Sequence, residues 1–306
     1  MKKFFLKPYR WGVVFSLLLV GAFSFVLLDT FVIPKSLAVV PTEFETESLV
    51  ETQPISQAKS EATVSETSYE DENMKISIET VQKYDSTLYV ADIQLTDASY
   101  LKTALASNTF GRNIKETTSK IAEDHDAIFA VNGDYYGFKN AGYVLRNGTI
   151  YRDTVRNDSE DEDLVIDKDG NFSIISESQV SMKSLNTADI NQIMAFGPAL
   201  VEDGQITVDS TSEVSRAKST NPRTAIGQIS MLHYVVIVSD GRTSESEGIS
   251  LLDLAQELKE RGCTTAYNLD GGGSSTMYFN GKVINNPTDG RNAGEREVSD
   301  IVYIGY

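Results

Sequence analysis

The sequence predicts an α+β fold of mixed, hairpin-rich β-sheets with a few packed helices. Three observations carry this expectation. Turn dipeptides recur between short apolar runs at Asn147-Gly148, Asp169-Gly170 and Asp203-Gly204, and such pairs mark hairpins because the favoured two-residue turn needs positive φ. One segment, "SLLDLAQELKERG", has the apolar spacing and end signals of an amphipathic helix. No strand–helix alternation is long enough for a doubly wound parallel sheet.

The chain opens with Lys2, Lys3, Lys7 and Arg10, followed by an apolar run from Trp11 to Leu28 that Phe31 to Ile33 extend past Asp29. About 20 apolar residues span a bilayer as a helix, and cations on the N-terminal side keep that end cytoplasmic. Ser36-Leu37-Ala38 would suit signal-peptide cleavage, but the run is long for a signal peptide. Residues 1–36 therefore read as a cytoplasmic tail and signal anchor, with the remainder exported: extracellular on a single pass, or secreted if cleaved. Residues 37–72 are rich in Thr, Ser and Gln and carry Glu43, Glu45, Glu47, Glu51, Glu61, Glu66, Glu70, Asp71 and Glu72 against Lys59. So few large apolar side chains predict a disordered, self-repelling spacer that holds the folded domain, residues 73–306, away from the membrane.

Within 73–306, "KISIETVQKYDSTLYVADIQLT" predicts two strands joined near Tyr84-Asp85-Ser86, and "SKIAEDHDAIFAVN" a short helix feeding a strand from Ala127 to Asn132. The three turn dipeptides then predict three hairpins. "RTAIGQISMLHYVVIVSDGR" gives two strands around a turn near Ser230. The helix that follows has Ser250 as N-cap, Asp253 three residues on, and Gly262 in the C′ place; Leu251, Leu254, Ala255 and Leu258 share one face. Strands from Thr264 to Leu269, from Thr276 to Phe279 and in "EVSDIVYIGY" complete the set.

Charge excludes one class of function. The net charge of −17 lacks the basic footprint that nucleic acid requires. Cys263 is the lone cysteine, so no internal disulfide forms, and its place after a helix suits a small buried hydrophobe.

Candidate chemistry gathers at three strand ends. "YNLDGGGSSTMYFNG" puts three glycines, Gly271, Gly272 and Gly273, between Asp270 and the hydroxyls of Ser274 and Ser275. No Gly-Lys-Ser/Thr end and no following helix are present, so this is neither a P-loop nor a dinucleotide fingerprint. Glycines at a strand end mark close backbone approach, and successive N–H groups in a turn can receive an anion. "FAVNGDYYGF" offers Asn132, Asp134, Tyr135 and Tyr136, a combination of rings and polar groups that suits a sugar. "NPRTAIG" and "VSDGR" add Arg223, Asp240 and Arg242, where a guanidinium fork suits a phosphate. His125 and His233 have no metal-ligand spacing, and no nucleophile elbow is present.

In chain order, "VNGDYYGF", "FGPALVEDG", "NPRTAIG", "VSDGR", "GISLLDLAQEL", "YNLDGGGSSTMYFNG" and "REVSDIVYI" resemble the phosphodiester glycosidase family, whose bacterial members are often labelled exopolysaccharide biosynthesis proteins. The resemblance runs from about Ala127 to the C-terminus. It departs at Asp134, where animal members have a glycine. It implies hydrolysis of a glycosyl phosphodiester at the sugar C1–oxygen bond. Asp270 would then be the catalytic carboxylate, with Asp240 second. Arg223 and Arg296 would clamp phosphate, and Asn132, Asp134 and the Gly271–Ser275 turn would bind substrate. No cofactor is required, although the carboxylates leave a divalent metal open. Two other readings stay open on the residues alone. One is a metal-assisted phosphodiesterase using Asp134, Asp240 and Asp270; the other is a non-catalytic polysaccharide-binding surface protein.

Overall fold

The structure, a computed structural model, describes residues 9–39, 62–156, 162–212, 220–290 and 292–306. Its frame is a nine-stranded antiparallel sheet and two five-stranded antiparallel sheets, with three α-helices among the described residues. The mixed α+β class predicted above is the one observed.

Each predicted hairpin closes where expected. Tyr84 and Asp85 take φ of 57° and 52° between the strands Met74–Lys83 and Ser86–Leu95. Asn147-Gly148 joins Val144–Arg146 to Thr149–Arg152, and Asp203-Gly204 joins Ala199–Glu202 to Gln205–Ile206, all four turn residues having positive φ. At Lys168–Asn171, Asp167 Oδ1 accepts from the N–H groups of Asp169 and Asn171, fixing the turn in the way short acidic side chains favour.

The central strands of the large sheet are apolar on both faces because both are covered. From Ser86–Leu95 and His233–Ser239, the side chains of Leu88, Val90, Val235 and Ile237 face the helix Leu251–Glu260. That helix buries Leu251, Leu254, Ala255 and Leu258, the stripe its sequence predicts, with the Ser250 hydroxyl accepting from Asp253 N and Gly262 beyond its end at φ 89°. Ala91, Ile93, Val236 and Val238 point the other way and pack against Phe129, Val131, Met277, Phe279 and Val302 of a five-stranded sheet. The far face of that sheet is covered by the helix Thr118–Asp124 through Ile121 and Ala122. The result is a helix–sheet–sheet–helix stack. The second five-stranded sheet, Val144–Arg152 with Glu162–Asp167, Phe172–Ser176 and Ile190–Met194, adds Leu164, Ile166 and Met194 to the common core.

Two stretches assigned to the spacer are instead paired with the domain. Thr63–Val64 and Ser68–Glu70 extend the edge of the large sheet beside Met74–Lys83. Backbone pairing needs little apolar content, and here one buried ring, Tyr69, and an Asp71 carboxylate accepting from Asn73 N and Met74 N suffice. Nearer the apolar helix Arg10–Phe31, Lys35–Ser36 pairs with Gly111–Arg112. The folded unit thus begins before residue 73, and the chain leaving the helix lies against it. Residues 40–61 of the predicted spacer fall outside the described residues.

Leu254 is fully buried between helix and sheet, so Leu254→Ala should lower the unfolding free energy by roughly 2–5 kcal/mol. Denaturant titration at constant slope would show it as a shift in midpoint.

Candidate active site

The ends of strands from two sheets meet at one place. Thr265–Asn268, in the large sheet, runs out into Asp270, while Phe129–Asn132, in the facing sheet, runs out into Gly133 and Asp134. Asn132 stitches them together. Its Nδ2 donates to Asp270 O at 2.6 Å, and its Oδ1 accepts from Thr224 Oγ1 at 2.8 Å and Thr276 N at 3.3 Å. Asp270 N in turn donates to Gly133 O, and Gly133 N to Asp300 O.

A cavity of about 390 Å³ opens at this junction, with Asp134, Tyr135, Phe138, Asp270, Ser274 and Arg296 in its wall. Asp270 is half-buried there and its Oδ1 accepts from Gly271 N at 2.9 Å. Burial pushes its carboxyl up to about 6, against the pull of the Ser274 hydroxyl, the Gly271 N–H and the Arg296 charge. Tyr135 stacks on Phe138 with centroids 4.6 Å apart, forming an aromatic side to the cavity.

Each of the three glycines has its own reason. A Cβ on Gly271 would lie 2.9 Å from Pro222 O; on Gly272, 2.6 Å from Arg242 Nη2; on Gly273, 2.7 Å from Arg296 Cζ. Only Gly272 has positive φ, at 65°. The run is therefore built for the close approach of two guanidiniums from the protein itself. The expectation that this turn offers a row of N–H donors needs correcting. Gly272–Ser274 is a single 3₁₀ turn: Gly272 N donates to Pro222 O, Ser274 N to Gly271 O and Ser275 N to Gly272 O. With Gly271 N on Asp270 Oδ1 as well, the N–H groups of Gly271, Gly272, Ser274 and Ser275 are engaged, so the row of donors reduces to that of Gly273.

Other predicted residues stand behind the wall. Asn132 and Ser275 are buried and do not line the cavity. Arg223 is buried as well, its Nε donating to Ile249 O at 3.1 Å. Asp240 accepts from Asn286 N at 2.8 Å, Asn286 Nδ2 at 2.9 Å and Tyr89 Oη at 3.3 Å. Its oxygens hold the 285–286 loop, three residues before Asp289.

Three residues not singled out in the sequence, Asp289, Arg146 and Asp300, also build the site. Arg296 Nε and Nη2 both donate to Asp289 Oδ1, at 2.9 and 2.6 Å. Arg242, itself held at φ 65°, rests on Gly272; burial and then the Arg296 charge pull it below its ordinary pKa. A non-glycine residue in that region stores strain, which is commonly kept at functional sites. Beneath Asp134, Arg146 is shared by two carboxylates: Nη2 meets Asp134 Oδ2 at 2.8 Å and Nε meets Asp300 Oδ2 at 2.9 Å. Burial would raise Asp134, but Arg146 and the Ala195 N–H outweigh it and hold it low. Asp300 has the opposite balance: burial and the neighbouring Asp134 prevail over Arg146 and push it up to about 8. Its Oδ1 has no hydrogen-bond partner among the described residues, and a side chain on Gly133 would overlap its carboxylate. The one signal for Asp300 in the sequence is a carboxylate opening the otherwise apolar strand "DIVYI".

Asp134 is engaged by Arg146, Ala195 N and Tyr136 N, and Asp240 by Asn286 and Tyr89. Among the described residues no three His, Cys, Asp or Glu side chains gather closely enough to hold one.

A family model for phosphodiester glycosidases matches residues 125–305. The chain belongs to the phosphodiester glycosidase family. Among curated relatives, a SPbeta prophage-derived uncharacterized protein YomE of Bacillus subtilis is 32% identical over 205 residues, covering 65% of this chain and 31% of that one. Human N-acetylglucosamine-1-phosphodiester alpha-N-acetylglucosaminidase is 30% identical over 194 residues, covering 57% of this chain and 36% of the human protein. The chain thus spans about a third of the length of these relatives. The fold matches the catalytic domain of the zebrafish N-acetylglucosamine-1-phosphodiester alpha-N-acetylglucosaminidase with a TM-score of 0.59 at 20% identity, covering 76% of this chain and 83% of that one. A hypothetical protein from Synechocystis matches at a TM-score of 0.54 and 16% identity, over 76% of this chain and 62% of that one.

Arg146→Met should cost roughly 3–5 kcal/mol, because it leaves two buried carboxylates without their cation. Asp300→Asn should cost far less. A carboxyl raised by folding contributes stability that is complete below its unfolded value and is lost as pH rises through its folded value. The unfolding free energy of wild type should therefore fall, relative to Asp300→Asn, between about pH 4 and about pH 8. Chemical denaturation of both proteins across that window tests the sign.

Proposed function

We propose that the protein is an extracytoplasmic hydrolase that cleaves the sugar C1–oxygen bond of a glycosyl phosphodiester in a surface or exported glycan. The observation that carries this reading is the pairing in one cavity of the half-buried Asp270 with Arg296, which rests on Gly273, with Arg242 beside it on Gly272. Membership of the family supports the reaction type.

The reaction needs an anion site and a carboxylate, side by side. The phosphodiester carries one negative charge, and Arg296 with Arg242 provides the fork to receive it. Asp289 occupies that fork in the free protein, as a carboxylate where a phosphate would bind. Asp270 in its ionised form faces the sugar carbon as positive charge develops there. The C1–O bond breaks with its electron pair leaving on the phosphate monoester. Water supplies the oxygen that bonds to C1, and its proton is released. A phosphate monoester has its second pKa near 6, so it departs without a strong general acid. Tyr135 and Phe138 offer an apolar face to the sugar ring. Asp240 is assigned a positioning role through Asn286, and Arg223 a structural one.

Two outcomes follow. Turnover of a UDP-linked or alkyl-phosphate-linked N-acetylhexosamine in oxygen-18 water should place label on the sugar, and Asp270→Asn should abolish it. Label on the phosphate would instead mean P–O cleavage and overturn the reading; binding without turnover would favour a glycan-binding protein. With Asp270 at about 6, kcat/KM should fall tenfold per pH unit below that value as the carboxylate is protonated. Loss of a charge-assisted hydrogen bond to phosphate costs about 1.5–3 kcal/mol. Arg296→Gln and Arg242→Gln should therefore each lower kcat/KM by roughly 10- to 100-fold, and steady-state kinetics on one substrate would check both.

A further inference from the structure

The apolar helix Arg10–Phe31 is long enough to cross a bilayer and buries none of its residues, yet the chain just beyond it is fastened to the domain. Lys35–Ser36 pairs antiparallel with Gly111–Arg112, and Leu37 N donates to Phe110 O at 3.0 Å. The Asn113 amide donates to two carbonyls at the helix end, Thr30 O at 3.2 Å and Ile33 O at 3.1 Å. Gly111 is required by this crossing: a side chain there would overlap the Lys35 carbonyl and come within 2.6 Å of Ile114 Cδ1.

This strap lies one residue layer from the cavity. A Cβ on Gly137 would sit 3.5 Å from Gly111 O and against Ser299 Oγ. Ser299 and Phe138, the residue after Gly137, both line the cavity, as does Lys115. Phe138 is 39% exposed at that wall. From Phe31 to Lys35 the chain can reach about 14 Å at most, whereas a free spacer over residues 37–72 would reach roughly 120 Å. A helix that spans the bilayer therefore holds the cavity near the membrane surface.

We propose that the group on the far side of the substrate phosphate is a membrane lipid, so that the enzyme takes a lipid-linked glycosyl phosphodiester from the bilayer to which it is anchored. This rests on the hydrolase reading above and on the helix spanning the membrane. The bond change is the same: water adds at C1, the sugar leaves as the free hemiacetal, and the lipid phosphate monoester stays in the bilayer. Confining enzyme and substrate to one surface, with the cavity at the height of the headgroups, raises their effective concentration. A domain on a long spacer would spend most of its time out of reach.

The test uses the full chain reconstituted in phosphatidylcholine vesicles containing phosphatidylglycerol. One substrate is N-acetylglucosamine linked through phosphate to a polyprenyl chain in the same vesicles; the other is its soluble butyl-phosphate analogue. Wild type should favour the lipid-linked substrate by tenfold or more in kcat/KM. Gly111→Val and Asn113→Ala, which release the strap, should each lose most of that preference while turnover of the butyl compound stays within twofold. Equal turnover of the two substrates by wild type, or an unchanged ratio in both variants, would overturn the proposal. Failure on the butyl compound would count against the hydrolase reading instead, so a second readout is independent of turnover. A fluorophore on Asn140→Cys, two residues beyond Phe138, should be quenched by headgroup-labelled nitroxide lipid and released from quenching when Gly111→Val is added. No quenching in the parent would place the cavity away from the membrane and end the proposal.

Discussion

Everything at the candidate site hangs on one buried amide. Asn132 is fully enclosed, and its side chain binds Asp270 O, Thr224 Oγ1 and Thr276 N, three segments that belong to different strands. A buried amide must satisfy both ends, and here doing so locks the outflow of one sheet against the other. That lock fixes the backbone of Asp270, and Gly271 N then holds its carboxylate. The hydrogen bonds from Asp270 N to Gly133 O and from Gly133 N to Asp300 O continue the same seam.

Charge is then layered around the seam. Deepest is Arg146 between Asp134 and Asp300, where one cation cannot neutralise two anions and the second carboxyl is driven toward its protonated form. The layer above is Asp270, which feels burial more than any partner. At the mouth are Arg296 and Arg242, brought together over Gly272 and Gly273 with Asp289 as the nearest counter-charge. Two guanidiniums drawn close are unfavourable in isolation, and Asp289 is the anion that the structure sets beside them. The absence of Cβ atoms on the turn lets both approach. The glycine run thus serves the arginines before it serves a substrate.

The acidic stretch after the apolar helix is a mixture that composition conceals. Part of it, Thr63–Val64 and Ser68–Glu70, adds strands to a sheet edge, and the segment just ahead of it, Lys35–Ser36, lies against Gly111–Arg112. Edge pairing draws on backbone groups that every residue carries, so a chain too polar to form a core can still be held by one already formed. This connects the membrane-spanning candidate to the cavity through only a few residues.

Much of the fold was legible because it is local. Asn147-Gly148, Asp203-Gly204, the Ser250 cap and the Leu251–Leu258 stripe each act within a few positions, and φ preference or helical spacing alone decides them. Sequence also marked Asp270 and the glycines as a place of close approach, and the family motif from Asn268 to Ser275 marked it as functional. It could not say what approaches. Arg223 and Arg242 read alike as arginines near a strand end, yet one turns into the interior toward Ile249 O and the other out over Gly272. Asp240 and Asp289 read alike as acids before glycine, and only the 285–289 loop decides which meets a cationic partner at the cavity. Arg146 and Asp300 lie 154 residues apart and meet only because two sheets cross above them. Local sequence fixes backbone conformation; the partner of a charge is fixed by packing, and packing is a property of the whole chain.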